Sequence, residues 1–211
     1  MLSFTIRELV KDDINDVRRI HNECKIYIYI VSHYIIHYTQ STGLPIKYGD
    51  AFYDKLVSKK ERFGFVAVSP LSKVVGVVTV RVREEGGFWS YFSSNKKMIG
   101  YVMTVCVLST FRRKGIASKL LNMLTSYCRK RFEYLKLELH CLQDNIAAIT
   151  LYKKHGFQNQ LALSEFYFFD GTHHDAYYLS QDLIPQRHTT RKEKDQTLVE
   201  YIQNRLFSCM R

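Results

Sequence analysis

The chain has 211 residues, which is long enough for one well-buried domain and short for two, and its hydrophobic content of 46% supports a globular core. Its formal net charge of +11 favours anionic partners such as phosphates, an acidic membrane surface or nucleic acid. Its five cysteines lack Cys-x-x-Cys spacing, which argues against a disulfide framework or a zinc site and favours a reducing compartment. No secretory signal, membrane-spanning segment or metal site is expected.

The first half of the chain predicts a strand, two helices and two further strands. Alternating apolar residues predict the strands, and apolar positions at helical spacing predict the helices. The expected ranges are 4–9 for the first strand, Asp12 or Asp13 to Glu23 and 50–59 for the helices, and 63–68 and 74–83 for the later strands. Residues 25–43 are rich in tyrosine and isoleucine, and we interpret them as an insertion that could extend the helix, form an extra strand or lie on the surface.

The second half of the chain predicts two strand–helix pairs followed by a hairpin. The expected ranges are strands at 101–108, 134–141, 162–169 and 176–179, and helices at 114–131 and 146–154. Asn145 is expected to start the second of these helices, and Gly156 to end it. The full order of elements, β-α-α-β-β-β-α-β-α-β-β, predicts an α+β domain with a mixed, largely antiparallel sheet flanked by helices.

A basic turn, Arg112-Arg113-Lys114-Gly115-Ile116-Ala117, joins the strand at 101–108 to the helix that follows it. The unpaired N–H groups and the positive dipole at the start of a helix bind phosphate. Taken alone, the pattern is equally typical of an ordinary surface turn, and it lacks the Lys-Ser/Thr ending of a P-loop. Between this strand and this helix, however, it resembles the acetyl-CoA pyrophosphate site of the GNAT superfamily of N-acetyltransferases, whose signature is Arg/Gln-x-x-Gly-x-Gly/Ala.

The resemblance implies a GNAT fold, whose element order the chain matches, and acetyl-CoA as the cosubstrate. It implies that the backbone amides of residues 113–118 hold the pyrophosphate and that the main chain of residues 105–107 pairs with the pantetheine arm. The segment from His140 to Asn145, followed by Tyr152, resembles one in the methionine-accepting N-terminal acetyltransferases of this superfamily, in which the asparagine binds the CoA arm and the later tyrosine lies near the thioester sulfur. The CoA-binding residues so implied are Val105, Cys106, Val107, Arg113, Lys114, Gly115, Ile116, Ala117, Ser118, Asn145 and Tyr152.

Acetyl transfer to an amine needs a base, because an α-amine with a pKa of about 8 is mostly protonated at neutral pH. His140 is a candidate since imidazole titrates near neutrality, although a lone histidine is more often structural. The segment from His140 to Asn145 resembles the His-x-x-x-x-Asn of methionine-accepting N-terminal acetyltransferases, and residues 101–104 resemble the start of their central strand. The resemblance implies that Tyr101 and His140 are catalytic. Together they would hold a water that removes the amine proton, and direct attack on the thioester would follow.

Two segments resemble the substrate loops of the same enzymes. The segment Leu44-Pro45-Ile46-Lys47-Tyr48 resembles the first loop, although a rigid loop packed on the core would have a similar composition. The segment Phe166-Tyr167-Phe168 resembles the second loop. The substrate-binding residues so implied are Leu44, Pro45, Ile46, Tyr48, Met103 and Tyr167.

The composition changes after Pro185, which divides the chain into a domain at 1–185 and a basic tail at 186–211. One apolar stripe at helical spacing in the tail is formed by Leu198, Ile202, Leu206 and Cys209. Such a helix could pack on the domain or lie at a membrane surface. Residues 197–203 resemble the tail of the membrane-associated NatF type of these enzymes. The resemblance implies a cytoplasmic protein in contact with the cytosolic face of the Golgi or another membrane.

These features predict an enzyme that moves acetyl from acetyl-CoA to the α-amine of proteins that start with methionine followed by a hydrophobic or amphipathic residue. Two alternatives stay open, namely acetylation of lysine side chains, including those of histones, and a CoA-binding or partner-binding module with weak catalysis. Nucleic acid is the least favoured partner, because the positive charge is spread along the chain without a nucleic-acid motif.

Overall fold

The structure, a computed structural model, describes residues 3–24, 49–58, 61–85, 98–132, 135–169 and 171–183. Its helices and strands follow the predicted order. They are β1 (Thr5–Glu8), α1 (Ile14–Glu23), α2 (Asp50–Val57), β2 (Arg62–Val68), β3 (Val74–Glu84), β4 (Met98–Val107), α3 (Ile116–Arg131), β5 (Leu135–Leu142), α4 (Ile146–Lys154), β6 (Gln158–Phe169) and β7 (Thr172–Leu183). Short 3-10 turns precede α1 and follow β4.

The seven described strands form one sheet in the order β1-β2-β3-β4-β5-β7-β6. Neighbouring strands are antiparallel, except that β4 and β5 are parallel. Helices cover both faces of the sheet. Successive side chains of a strand point to opposite faces, and on β2 Arg62 lies over Phe52 of α2, whereas the next residue, Phe63, packs on Tyr127 of α3. This architecture confirms the predicted α+β class with a mixed, largely antiparallel sheet.

The pairing between β4 and β5 is short. It runs only from Met98 opposite Leu135 to Tyr101 opposite Glu138, although β4 continues to Val107 and β5 to Leu142. The two strands therefore separate beyond Tyr101. The main chain of β4 on this side is left without a neighbouring strand over most of its length.

A bulge interrupts β4 beside this separation. The register with β3 passes from Val102 opposite Val80 to Thr104 opposite Thr79, so that Met103 has no partner on β3. The hydroxyls of Thr79 and Thr104 lie 2.7 Å apart, and both residues are buried. Because a buried hydroxyl needs a partner, this hydrogen bond holds the register next to the bulge.

The predicted bounds of several elements need correction. The two hairpin strands are longer than the predicted ranges 162–169 and 176–179. The sequence pattern missed the added residues because most of them are exposed and polar and show no apolar alternation. Asp12 or Asp13 was expected to cap α1, and Asp13 occupies the N-cap position, but its carboxylate makes no capping hydrogen bond to this helix. It accepts hydrogen bonds from both terminal nitrogens of Arg7 at 2.7 Å and from the N–H of Val10 at 2.9 Å.

Several predictions fall outside the described residues. These are the insertion at 25–43, the loop residues Leu44, Pro45, Ile46 and Tyr48, and the tail at 186–211. Within the described ranges no helix combines the length and the apolar character needed to cross a membrane.

The pairing of Arg7 with Asp13 predicts a pH-dependent loss of stability in Asp13→Asn. Burial opposes ionisation of Asp13, but the Arg7 and Val10 hydrogen bonds outweigh it and hold the pKa below its ordinary value. A lowered carboxyl pKa stabilises the fold above the unfolded-state pKa, and this contribution is lost as the pH falls through the folded-state value. At neutral pH we expect Asp13→Asn to lower the free energy of unfolding by about 1–2 kcal/mol, a range that allows for solvent screening of the exposed Arg7.

Urea unfolding at neutral pH and at about pH 3 measures this effect, and the difference from the wild type should shrink at the lower pH. Asp50→Asn is the matched control, because Asp50 also pairs with an arginine but its side chain is 84% exposed. An equal loss at both pH values would contradict the assignment.

Candidate active site

Tyr101 and His140 meet where β4 and β5 separate. Tyr101 is the last residue of β4 that pairs with β5, and His140 follows two residues after its partner Glu138. The Tyr101 hydroxyl lies 3.1 Å from Nδ1 of His140, and the ring centroids are 5.7 Å apart. The structure thus brings together the two residues that were predicted to be catalytic.

Aromatic residues of the β6–β7 hairpin surround the His140 ring. Phe166 stacks on it with centroids 4.5 Å apart and an interplanar angle of 17°, and the ring of Tyr178 lies at 5.4 Å. Burial lowers the pKa of His140 below its ordinary value, while the carboxylate of Glu138 acts in the opposite direction. Burial raises the pKa of Tyr101. At neutral pH the site therefore combines a neutral imidazole, which can accept a proton, with a protonated phenol.

A cleft of about 630 Å³ lies between the separated strands and the helices α3 and α4. Its volume is typical of sites for small molecules. Besides Tyr101 and His140, the predicted residues that line it are Met103, Val105, Cys106, Val107, Arg113, Ala117, Asn145, Tyr152 and Tyr167. The predicted residues Lys114, Gly115, Ile116 and Ser118 adjoin the cleft without lining it.

The turn before α3 presents a row of free N–H groups. Arg113 and Gly115 adopt left-handed backbone conformations with φ of 58° and 75°. Within the described ranges, none of the N–H groups of residues 113–118 donates a hydrogen bond to another protein atom. Because these groups open a helix and lie beside the cleft, they form a site for an anion.

Two of the predicted turn residues have side chains that contact the protein itself. The Lys114 ammonium donates to the carbonyl of Thr110 at 2.9 Å, and the Ile116 side chain is buried in the core. Arg112, which was not predicted as a site residue, lines the cleft and donates from Nε to the carbonyl of Val107 at 3.1 Å.

The remaining predicted residues occupy defined positions around the cleft. Asn145 begins α4, where its side-chain oxygen accepts the N–H of Ala148 at 3.1 Å. Its amide NH₂ is not used in this cap. Tyr152 packs edge-on against Phe157, and Tyr167 packs edge-on against Phe166 at 4.9 Å. A hydrogen bond therefore holds the side chain of Asn145, and aromatic packing holds those of Tyr152 and Tyr167.

Two cysteines line the cleft, Cys24 at the end of α1 and Cys106 on β4. Both are free thiols. Burial raises the pKa of Cys106 well above its ordinary value, so this thiol stays protonated. Hydrogen bonds from Cys106 and Arg112 lower the pKa of Cys24 to about 6. In the described part of the chain, no group of three or more His, Cys, Asp or Glu side chains could hold a metal ion.

Sequence reasoning missed Glu138, Tyr178 and the contact between Phe166 and His140. The alternation Leu137-Glu138-Leu139-His140 places Glu138 on the same side of β5 as His140, and this signal was available in the sequence. The positions of Tyr178 and Phe166 depend on how β7 pairs with β5 and β6, which no local pattern reveals.

Comparison with known proteins agrees with this geometry. The family model described as the acetyltransferase (GNAT) family matches residues 15–157. The chain belongs to the GNAT family. Within this family its relatives include N-alpha-acetyltransferase 60 of Xenopus tropicalis, 29% identical over 142 residues, which are 63% of this chain and 58% of the relative.

Two further relatives carry different names. N-alpha-acetyltransferase 50 of Danio rerio is 32% identical over 114 residues, 54% of this chain and 61% of the relative. Histone acetyltransferase MCC1 of Arabidopsis thaliana is 28% identical over 145 residues, 63% of this chain and 59% of the relative. The chain spans about three fifths of the length of the curated relatives it matches.

Among solved structures, the chain is similar to Arabidopsis thaliana NAA60 in complex with acetyl-CoA. The TM-score is 0.68 at 22% identity, and the match covers 86% of this chain and 99% of that one. The same plant protein has also been solved with a bisubstrate analogue, with a TM-score of 0.67 at 23% identity over 85% of this chain and 98% of that one. The likeness shows that this GNAT chain shares their fold.

Proposed function

We propose that this GNAT chain transfers acetyl from acetyl-CoA to the α-amine of proteins, with Tyr101 and His140 as the catalytic pair. The observation that carries the proposal is the hydrogen bond between Tyr101 and His140 at the point where β4 and β5 separate. Two relatives named as N-alpha-acetyltransferases support it, as do the structures of a plant NAA60 with acetyl-CoA and with a bisubstrate analogue.

The residues present fit acetyl-CoA as the cosubstrate. The free N–H groups of residues 113–118 form an anion site suited to the pyrophosphate, and the main chain of residues 105–107, which pairs with no residue of β5, suits the amides of the pantetheine arm. The amide NH₂ of Asn145 and the hydroxyl of Tyr152 complete the proposed set. When bound, acetyl-CoA supplies the acetyl group as a thioester.

The proposed chemistry is a direct transfer, in which the new C–N bond forms as the thioester C–S bond breaks and the departing thiolate takes up the proton released by the amine. Neutral His140 and the Tyr101 hydroxyl hold a water that takes the proton of the incoming amine, because the imidazole can accept a proton and the phenol stays protonated. The bulge at Met103 leaves its main chain unpaired with β3, so that it is available to polarise the thioester carbonyl together with the main chain at Val105. Cys106 is a weak nucleophile because it stays a buried thiol, which favours transfer without acylation of Cys106.

The finer specificity is proposed from the sequence pattern. We propose substrates that start with methionine followed by a hydrophobic or amphipathic residue, held by Met103, Tyr167 and the loop residues Leu44, Pro45, Ile46 and Tyr48. Met103 and Tyr167 line the cleft, which is consistent with this role. A cytosolic location and a peripheral membrane contact through residues 186–211 remain predictions of the same kind.

Lysine acetylation is the second candidate, since one relative is named as a histone acetyltransferase. The electrostatics favour the α-amine. A lysine amine has a pKa of about 10.4 against about 8 for an α-amine, so its neutral form is roughly 100-fold or more scarcer at neutral pH. An imidazole whose pKa is lowered is a poor base for the more basic amine.

A panel of short peptides tests the proposed function. We expect turnover of acetyl-CoA with free peptides that start Met-Leu and Met-Lys and little with Ser-Glu, because the first residue is expected to enter an apolar pocket. The product is measured by mass spectrometry. Each peptide is compared with a version whose α-amine is blocked and whose lysine is free. Turnover that survives blocking would assign the chain to lysine acetylation, and CoA binding without turnover would indicate a binding module.

Removing both catalytic groups tests the mechanism. We expect Tyr101→Phe combined with His140→Ala to lower kcat by roughly 10²- to 10⁴-fold, the range typical of positioned acid–base groups. CoA affinity should be unchanged, because neither side chain belongs to the anion site. Steady-state kinetics on the Met-Leu peptide and calorimetry with CoA give the two quantities. Unchanged turnover in the double variant would refute the mechanism.

The anion site is tested at Gly115. An alanine there must adopt a φ of 75°, which costs about 1 kcal/mol and disturbs the row of N–H groups, so the Kd for CoA should rise about fivefold. Gly171→Ala is the matched control, because Gly171 has the same φ of 75° but lies in the turn between β6 and β7. Calorimetry with CoA on both variants makes the comparison. Equal effects in both would mean that the strain acts through stability alone.

A further inference from the structure

Glu138 is a carboxylate held inside a strand. Its side chain is only 13% exposed. The Tyr178 hydroxyl donates to Oε2 of Glu138 at 2.7 Å, and the guanidinium of Arg83 lies 3.5 Å from Oε1. A carboxylate with so little exposure is costly unless it is paired, and here two partners from two different strands provide the pairing.

The sheet register places this carboxylate beside the catalytic pair. Glu138 lies directly opposite Tyr101 on β4, and His140 is the next residue of β5 on the same face. Tyr178 lies directly opposite His140 on β7. Tyr178 therefore contacts both Glu138 and His140. The centroid of its ring lies 5.4 Å from that of His140, and the Tyr178 hydroxyl donates a hydrogen bond to Glu138.

We propose that Glu138, held by Tyr178 and Arg83, is a positioning residue for the Tyr101–His140 pair. It fixes the ring of Tyr178 against His140 and provides a negative charge next to the imidazole that accepts the proton. This role rests on the proposed function, since it concerns the base of that reaction.

The charge of Glu138 has a defined direction of effect on the pKa of His140. Burial disfavours the imidazolium form of His140, and the charge of Glu138 partly offsets this by raising the pKa. For Tyr101, burial raises the pKa of the phenol, and the charge of Glu138 acts in the same direction. Loss of the negative charge should lower the pKa of His140 and weaken it as a base.

Other charged groups surround the pair in the described part of the chain. Arg81 lies opposite Tyr101 on β3, beside Arg83, and Lys136 of β5 lies over the ring of Tyr178. Asp182 of β7 lies opposite Lys136. The stacked residue from β6, Phe166, carries no charge. Of these groups Arg83 forms an ion pair with Glu138, so its removal should act in the direction opposite to the removal of Glu138.

Titration of His140 by NMR tests the proposal without requiring turnover. In the full chain, with the His140 signal assigned by comparison with His140→Ala, Glu138→Gln should lower the pKa of His140, because the imidazolium loses a nearby negative charge. Arg83→Gln should raise it. Asp50→Asn is the matched control, because Asp50 also pairs with an arginine, Arg18, but lies on α2 and is 84% exposed. It should leave His140 unchanged.

The pH dependence of kcat/KM for the Met-Leu peptide provides the second readout. The acidic limb should move to lower pH in Glu138→Gln and to higher pH in Arg83→Gln. Tyr178→Phe keeps the ring against His140 but loses the hydrogen bond to Glu138, so kcat should fall while KM changes little. A merely structural role would lower activity in the variants without moving the limb in opposite directions.

The outcomes separate the two proposals. If the wild type acetylates no peptide, the proposed function fails, and the NMR titration still decides whether Glu138 acts on His140. If the wild type is active but neither the His140 titration nor the acidic limb moves in Glu138→Gln, the role of Glu138 is overturned.

Discussion

The short parallel pairing of β4 with β5 is the constraint on which the site depends. Two strands that pair for only four residues must separate, and the main-chain groups they would have shared remain available. Residues of α3 and α4 line the resulting opening, and the first turn of α3 adds its free N–H groups. The cleft, the anion site and the position of Tyr101 at the point of separation thus have a single topological origin.

The chemistry at this point reflects a balance between burial and charge. Burial keeps His140 neutral and Tyr101 protonated, while the negative charge of Glu138 limits how far the basicity of His140 falls. A continuous series of contacts runs from Arg83 through Glu138 and Tyr178 to His140 and Tyr101. Because four strands supply these side chains, the balance depends on the sheet rather than on any one loop.

Local patterns predicted the features that depend on neighbours in the sequence. The helix at 146–154 was predicted with its correct bounds, because an asparagine at its start and a glycine after its end mark both limits. The turn at 112–117 and the alternation of β5 were equally visible. The bulge at Met103, the full length of the hairpin strands and the contact between Tyr178 and Glu138 were not, since each depends on strand pairing between distant segments.

The bulge at Met103 changes which side of the sheet each β4 residue faces. Because of the extra residue, Tyr101 lies opposite Arg81 and Thr104 lies opposite Thr79. Arg81 and Thr79 are two residues apart on β3, so they point to the same face of the sheet. In a regular strand, residues three apart would point to opposite faces. The hydrogen bond between the two buried threonine hydroxyls therefore fixes which face of the sheet each neighbouring β4 side chain occupies. A slip of one residue in this register would turn the Tyr101 phenol toward α3, away from His140, while the sheet itself stayed paired.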